Sequence, residues 1–315
     1  MNQHAFDWIL IFGPTGVGKT DFVIKLAERL GNGVMVNADS GQCYAPLSIG
    51  TAKPHLENLT IPHYLFDIAE HPRDISVTQY RSALLPVLQS CSDKNQLPLI
   101  TGGSGFYLTS LLFPPKESPQ EINELSQDLP ISWEYLNTID PVRAAQIHRN
   151  DTYRIKRAIE LWHSRGVLPC EYKPLYEPPA GKYMFVMLTR NRDELYQRIN
   201  ERVALMMNDG WIDEVKDLPG EWKEFLRKKK LLGYDDIVNF LDNVHNAAAY
   251  QTLIDTIAQK TRNYAKRQIT FGKMLMKKIH EASPETPVLT IDLSKMDTDN
   301  AIEYLDQHMK GSQTL

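Results

Sequence analysis

The chain has 315 residues, 42% hydrophobic and 23% charged, with a formal net charge of -4, enough to bury a large α/β core plus an added module. No apolar run approaches the ~20 residues needed to span a bilayer, which excludes a membrane partner. Cys43, Cys91 and Cys170 stand apart without CxxC spacing, which indicates neither a disulfide framework nor a zinc site, and the N-terminus MNQHAFD has neither a basic n-region nor an Arg-rich amphipathic stretch, which argues against export or organelle import; a reducing cytoplasm is expected.

In chain order, Trp8 to Phe12 (WILIF) predicts a buried strand, and Asp21 to Leu30 carries apolar residues at helical spacing. Between them lies GPTGVGKT: Gly13, Pro14, Thr15, Gly16, Val17, Gly18, Lys19 and Thr20. A glycine-rich loop between strand and helix turns its amides toward an anion at the helix N-terminus, where the backbone dipole favours negative charge. Lys19 then reaches the terminal phosphates and the Thr20 hydroxyl is the expected Mg²⁺ ligand. The loop leaves open whether those phosphates belong to a nucleotide or to another pyrophosphate.

Val34 to Asn37 predicts a second strand, delivering Asp39 and Ser40 to the strand-end edge where ligands sit in open parallel sheets. A strand-end Asp that caps a turn is the alternative reading. Strands are expected at His63 to Ile68 and Leu97 to Thr101, with a helix at Val77 to Ser90 between them. The latter strand runs into Gly102, Gly103, Ser104 and Gly105, where backbone can approach a ligand and Ser104 adds a hydroxyl. From Phe113 to about Arg149 the rhythm breaks into a polar excursion with short helical pieces around Ile122 and Tyr135. Helices at Thr152 to Arg165 and Asp193 to Met207, strands at Tyr183 to Thr189 and Val288 to Ile291, a turn at Gly233 and a helical segment, whole or broken, over Ala247 to Ile279 complete the chain. This alternation predicts an α/β fold, a P-loop NTPase-like parallel sheet with helices on both faces. Its expected core is 1–112 with 150–315, and a small, mainly helical insertion occupies 113–149.

Charge is unevenly distributed despite the acidic total. Lys260, Arg262, Lys266, Arg267, Lys273, Lys277 and Lys278 form one basic stretch, Arg143 to Arg165 a second and Arg227 to Lys230 a third. Taken together they predict a polyanion-binding surface. Tyr153, Tyr264 and Phe271 lie among them as candidate stacking groups, each with a core position as the alternative.

GPTGVGKT, ADSGQCY, SIGTAKP (Ser48 to Pro54), PHYLFDI (Pro62 to Ile68), TGGSGFYL, DPVRAAQIHRNDTYRIKRAIE (Asp140 to Glu160), LLGYDDI (Leu231 to Ile237) and TRNYAKRQITF (Thr261 to Phe271), in this order, resemble the tRNA dimethylallyltransferases, or tRNA isopentenyltransferases. The resemblance implies transfer of the dimethylallyl group of dimethylallyl pyrophosphate to N6 of adenosine 37 beside the tRNA anticodon, with Mg²⁺, the phosphate loop holding the allylic pyrophosphate. By motif position Asp39 resembles the family's proton acceptor, and Ser104 stands where threonine is usual beside the reacting groups. Asp39, Ser40, Gly41 and Gln42, and Tyr153, Arg154, Ile155, Lys156 and Arg157, resemble segments that contact tRNA; Arg262, Lys266, Arg267 and Gln268 are the expected mixed pyrophosphate and RNA surface. The insertion is shorter than the family's usual helical arm, and Phe271 stands where tryptophan is common. A prenyltransferase acting on free adenine nucleotides and a P-loop kinase or NTPase are the rival readings.

Overall fold

The computed structural model describes residues 5–116, 129–243 and 246–311. The chain divides into two compact units, 1–112 with 179–315, and Phe113–Pro178.

The first unit is built on a six-stranded sheet of β1 (Trp8–Phe12), β2 (Gly33–Asn37), β3 (His63–Tyr64), β4 (Leu97–Gly102), β5 (Tyr183–Thr189) and β6 (Val288–Asp292), in the order β3-β2-β4-β1-β5-β6. Every pairing is parallel; Ile11 lies beside Thr101 on one side and Val186 on the other. β1, β2 and β4 are buried along their whole length, which is why they read as unbroken apolar runs: both faces are covered. The strand expected over His63 to Ile68 is only two residues long, because Leu65 and Asp67 take φ of 64° and 53°, angles that end extended backbone.

Helix α1 (Lys19–Leu30) buries Phe22, Val23, Leu26 and Ala27 against the sheet. α2 (Val77–Asp93) starts at a Ser76/Gln79 capping box, and α3 (Gly105–Leu112) follows β4. After the second unit, which contains α4 (Trp133–Ile139), α5 (Pro141–Ala145) and α6 (Thr152–Arg165), come α7 (Arg192–Asn208), α8 (Trp211–Asp217), α9 (Gly220–Lys229), α10 (Tyr234–Leu241), α11 (Ala247–Ala282) and α12 (Thr298–Gly311). α11 is one unbroken helix of 36 residues. It approaches the sheet so closely that a Cβ on Gly272 would lie 2.8 Å from Met187 and Phe12 side chains, which sets Gln268 and Phe271 over the ends of the central strands. Trp211, Trp222 and Tyr234 anchor a second apolar core among α7 to α11.

In the second unit α4 (Trp133–Ile139), α5 (Pro141–Ala145) and α6 (Thr152–Arg165) close around Leu136, Ala144, Ile147, Ile155, Ala158 and Ile159. A backbone bridge from Pro115 to Tyr176 and a ring contact between Phe113 and Tyr176 join its two ends. The unit therefore runs to Pro178 and takes in residues 150–178, which the sequence assigns to the core. The reason is α6, whose apolar face is buried by the unit's own helices. The helical piece expected around Ile122 lies outside the described residues.

Candidate active site

β1 delivers Gly13 to Gly18 into a turn at the N-terminus of α1. Gly18 is the N-cap, at φ 108°, a conformation glycine tolerates, and no side chain caps the helix. The first-turn amides of α1 therefore stay directed at whatever occupies the loop. Two other loop amides are engaged within the protein: Thr15 N donates to Gln268 Oε1 at 2.8 Å and Val17 N to the Pro14 carbonyl at 3.3 Å.

Lys19 folds back over the loop, donating from Nζ to the Gly13 and Pro14 carbonyls at 2.9 and 3.0 Å. Loss of hydration brings its pKa down to about 8; the Asp39 carboxylate opposes that fall and the Arg202 guanidinium adds to it. Arg202 is itself lowered, first by desolvation and then by Arg198, against the pull of Asp39. Arg198 Nε donates to the Gly16 carbonyl at 3.0 Å, and Arg190 Nε to the Val17 carbonyl at 3.3 Å. Arg198 and Arg202, one turn apart on α7, thus bring two cations to the phosphate loop. Neither arginine was legible in the sequence as a site residue. The available signal was an i, i+4 arginine pair on the helix after β5, but on any amphipathic helix such a pair reads as a solvated face.

Asp39 follows β2. Asn37 Oδ1 accepts from Asp39 N at 2.8 Å, and Asp39 Oδ1 accepts from Gly41 N at 2.9 Å. Asp39 thus caps its own turn, as the alternative reading expects, while the other oxygen, Oδ2, faces the glycine turn at 3.4 Å from where a Gly103 Cβ would lie. The strand-end loops of β2 and β4 touch backbone to backbone; a Cβ on Gly102 would stand 2.1 Å from the Ala38 carbonyl carbon. Ser104 Oγ accepts from Ser40 N at 2.8 Å, tying the two loops together.

Among the remaining residues expected at the site, Lys266 and Arg267 are exposed, with the Arg267 guanidinium 5.7 Å from the Tyr264 ring centre. Arg262 is held by Asn200 and by Gln259. Gln268 is 4% exposed and bridges the loops, donating to the Gly103 carbonyl while accepting from Thr15, so it is a brace between them and not an RNA-facing surface residue. Tyr264 donates to the same carbonyl, its phenol pKa raised by burial and then by Asp39, and Phe271 packs edge-on against Phe12; both are partly buried and engaged within the protein. Gln42 is turned to the Thr51 and Ala52 carbonyls.

The other set lies in the second unit. Tyr153, 69% exposed, and Arg154 face outward from α6. Ile155 is 2% exposed in the unit's core, which corrects its place among the surface residues. Lys156 and Arg157 flank the buried Glu160 carboxylate at 3.6 and 3.0 Å. In the third basic stretch, Arg227 pairs with Asp242 and Lys229 with Asp74.

The site therefore joins an uncapped glycine cradle with three cations to a carboxylate at the neighbouring strand end. That arrangement suits an anionic leaving group and a proton acceptor side by side. The IPP transferase family profile matches residues 42–274. The chain is 35% identical to the tRNA dimethylallyltransferase of Anoxybacillus flavithermus over 276 residues, covering 85% of this chain and 88% of that protein. It is 36% identical to the protein of the same name from Syntrophobacter fumaroxidans, covering 84% and 80%. The crystal structure of the full-length tRNA isopentenylpyrophosphate transferase from Bacillus halodurans superposes with a TM-score of 0.65 at 29% identity, covering 97% of this chain and 96% of that one. A eukaryotic dimethylallyltransferase structure shares the fold, with a TM-score of 0.71 at 23% identity and coverage of 96% and 79%. Three kinds of likeness, in sequence profile, in identity over most of the chain and in fold, agree with the geometry, and the chain belongs to the tRNA dimethylallyltransferase (IPP transferase) family.

Proposed function

We propose that this protein prenylates tRNA, transferring the dimethylallyl group of dimethylallyl pyrophosphate to the exocyclic N6 of the adenosine beside the anticodon. The observation that carries the reading is that Gln268 ties Thr15 of the phosphate loop to Gly103, which lies beside the Asp39 carboxylate whose charge acts on Lys19 and Arg202. In the reaction the allylic C1–O bond breaks, the N6–C1 bond forms, pyrophosphate leaves with the electron pair, and the N6 proton passes to Asp39. Adenine N6 is a weak nucleophile because its lone pair is delocalised into the ring, so stabilising the departing charge is the main task. Lys19, Arg198, Arg202 and the α1 amides gain most as that charge develops, which is preferential binding of the transition state. The Asp39 oxygen beside Gly103 orients the amine and takes its proton. An adenine drawn out of an unpaired loop costs less to extrude than one in a duplex.

Mg²⁺ is part of the proposal. Thr20 stands in the first turn of α1 beside Lys19, and its hydroxyl is the protein ligand we assign to a cation that arrives on the diphosphate. When bound, it neutralises charge on the leaving pyrophosphate. Lys266 and Arg267 on α11, and Tyr153 and Arg154 on α6, are the residues we assign to the RNA backbone and bases. No helix among the described residues is long and apolar enough to cross a membrane; we infer a cytoplasmic residence, where tRNA and reduced thiols coexist.

The test is incubation with dimethylallyl pyrophosphate, Mg²⁺ and unmodified tRNA, followed by mass analysis of the nucleosides. Prenyl-adenosine in the tRNA is the expected product. Prenylation of AMP but not of tRNA would transfer the reading to the nucleotide-prenylating relatives, and ATP turnover without any prenyl product would overturn it.

A further inference from the structure

Two motifs, SIGTAKP and LLGYDDI, contribute no group to the cradle, yet the fold brings them together. Glu214 of α8 accepts from Ser48 N at 2.9 Å and Ile49 N at 2.7 Å through one carboxylate oxygen, and from the Tyr234 hydroxyl at 2.7 Å through the other. The amides of Gly50 and Thr51 face the same hydroxyl and oppose the rise that burial imposes on its pKa. Two consecutive amides therefore converge on one carboxylate oxygen, with the phenol held on the other, an arrangement of the kind that holds anions, here filled by the protein's own side chains. Gly50 lies flat on the Trp211 indole, where a Cβ would stand 2.0 Å from the ring, and Gly233 packs against the same indole. On the loop's other side Gln42 Nε2 donates to the Thr51 and Ala52 carbonyls at 3.0 and 3.1 Å. A Cβ on Gly41 would sit 3.1 Å from Thr51 Cγ2 and 3.3 Å from Asp39 Oδ1. Continuous contact thus runs from α8 and α10 through the 48–53 loop to the turn that holds Asp39.

We propose that Glu214 and Tyr234 are positioning residues that lock the 48–53 loop and, through Gln42 and Gly41, hold the Asp39 carboxylate in its reactive orientation. The role rests on the prenyl transfer proposed above. Neither residue touches substrate. Their loss moves the proton acceptor and leaves the phosphate cradle in place, so the chemical step suffers and the binding of both substrates does not.

The test compares Glu214→Ala, Glu214→Gln and Tyr234→Phe in the full chain by two readouts. The first is amide hydrogen exchange, without substrates, at Ser48 to Thr51 and at Gly41, whose amide reports the Asp39 turn. The second is the single-turnover prenyl-transfer rate, alongside KM for dimethylallyl pyrophosphate and Kd for tRNA. Glu214→Ala is expected to speed exchange at Ser48 to Thr51 and at Gly41 at least tenfold and to slow the transfer step at least tenfold, with KM and Kd within threefold of wild type. Glu214→Gln, which keeps an acceptor oxygen for Ser48 and Ile49, recovers most of both. Should Glu214→Ala fail to fold, Tyr234→Phe, which removes one hydroxyl, must show the same pattern at severalfold size. Faster exchange at 48–51 with Gly41 and the transfer rate unchanged would overturn the coupling, as would rate loss matched by equal loss of substrate affinity. An inactive wild type would remove the prenyl-transfer reading alone, while Gly41 exchange would still decide whether the lock reaches Asp39.

Discussion

Replacing Lys19 by Met should stabilise the ligand-free protein while weakening its hold on diphosphate. Desolvation carries the Lys19 ammonium from 10.5 to about 8, with Asp39 resisting and Arg202 assisting. A shift of that size is an upper limit of ~3 kcal/mol acting against folding at neutral pH. Lys19 keeps some contact with water, which reduces the penalty, and the variant loses the hydrogen bonds to the Gly13 and Pro14 carbonyls. At ~1 kcal/mol for each hydrogen bond, a net stabilisation of ~1 kcal/mol at most remains. The pH dependence carries the sharper signature. The folded pKa lies below the unfolded one, so between pH 8 and 10.5 the unfolded chain binds more protons and stability rises with pH; the penalty is complete below this window and absent above it. Urea unfolding of both proteins at pH 7 and pH 10, without diphosphate, should show Lys19→Met losing ground to wild type by ~2 kcal/mol across that interval. A stability difference that does not change with pH would refute the reasoning. In the wild type, kcat/KM for dimethylallyl pyrophosphate should fall as pH rises through about 8, as the cation that meets the phosphates is lost.

Asp39→Asn keeps an oxygen for the Gly41 amide and so preserves the turn; turnover should drop ~10²-fold or more with tRNA affinity unchanged, and equal loss of both would rule out proton acceptance. Arg202→Gln should raise KM for dimethylallyl pyrophosphate at least tenfold and leave tRNA binding alone, as read by separate substrate titrations. Reversing Lys266 and Arg267 to Glu should weaken tRNA binding and flatten its dependence on salt by roughly one unit of log–log slope for each phosphate contact removed. An unchanged slope would remove that face of α11 from the RNA footprint.

Much of the site was legible before any coordinates. GPTGVGKT between a strand and a helix located the cradle, and the strand ends at Asn37 and Thr101 located Asp39 and Ser104 at the same edge of a parallel sheet. These inferences hold because each depends on a few consecutive residues. Elsewhere local reading was insufficient. His63 to Ile68 has the composition of a strand, but two residues with positive φ end it after Tyr64. Thr152 to Arg165 was legible as a helix, yet its unit depended on which neighbours bury Ile155, Ala158 and Ile159.

By itself the sequence determined the fold class, the phosphate loop and the family, because alternating strand and helix patterns and a glycine cradle are short-range features that survive any arrangement of the rest. Only the tertiary structure decided that Arg198 and Arg202 face the cradle, that Gln268 braces two loops from a buried position, and that Glu214 gathers the amides of Ser48 and Ile49. Each of these depends on which face of a helix meets the sheet or a loop remote in sequence. That choice is set by close packing, as at Gly272 against Met187 and Gly50 against Trp211, where the missing side chain allows the approach and the neighbouring polar groups are carried into place with it.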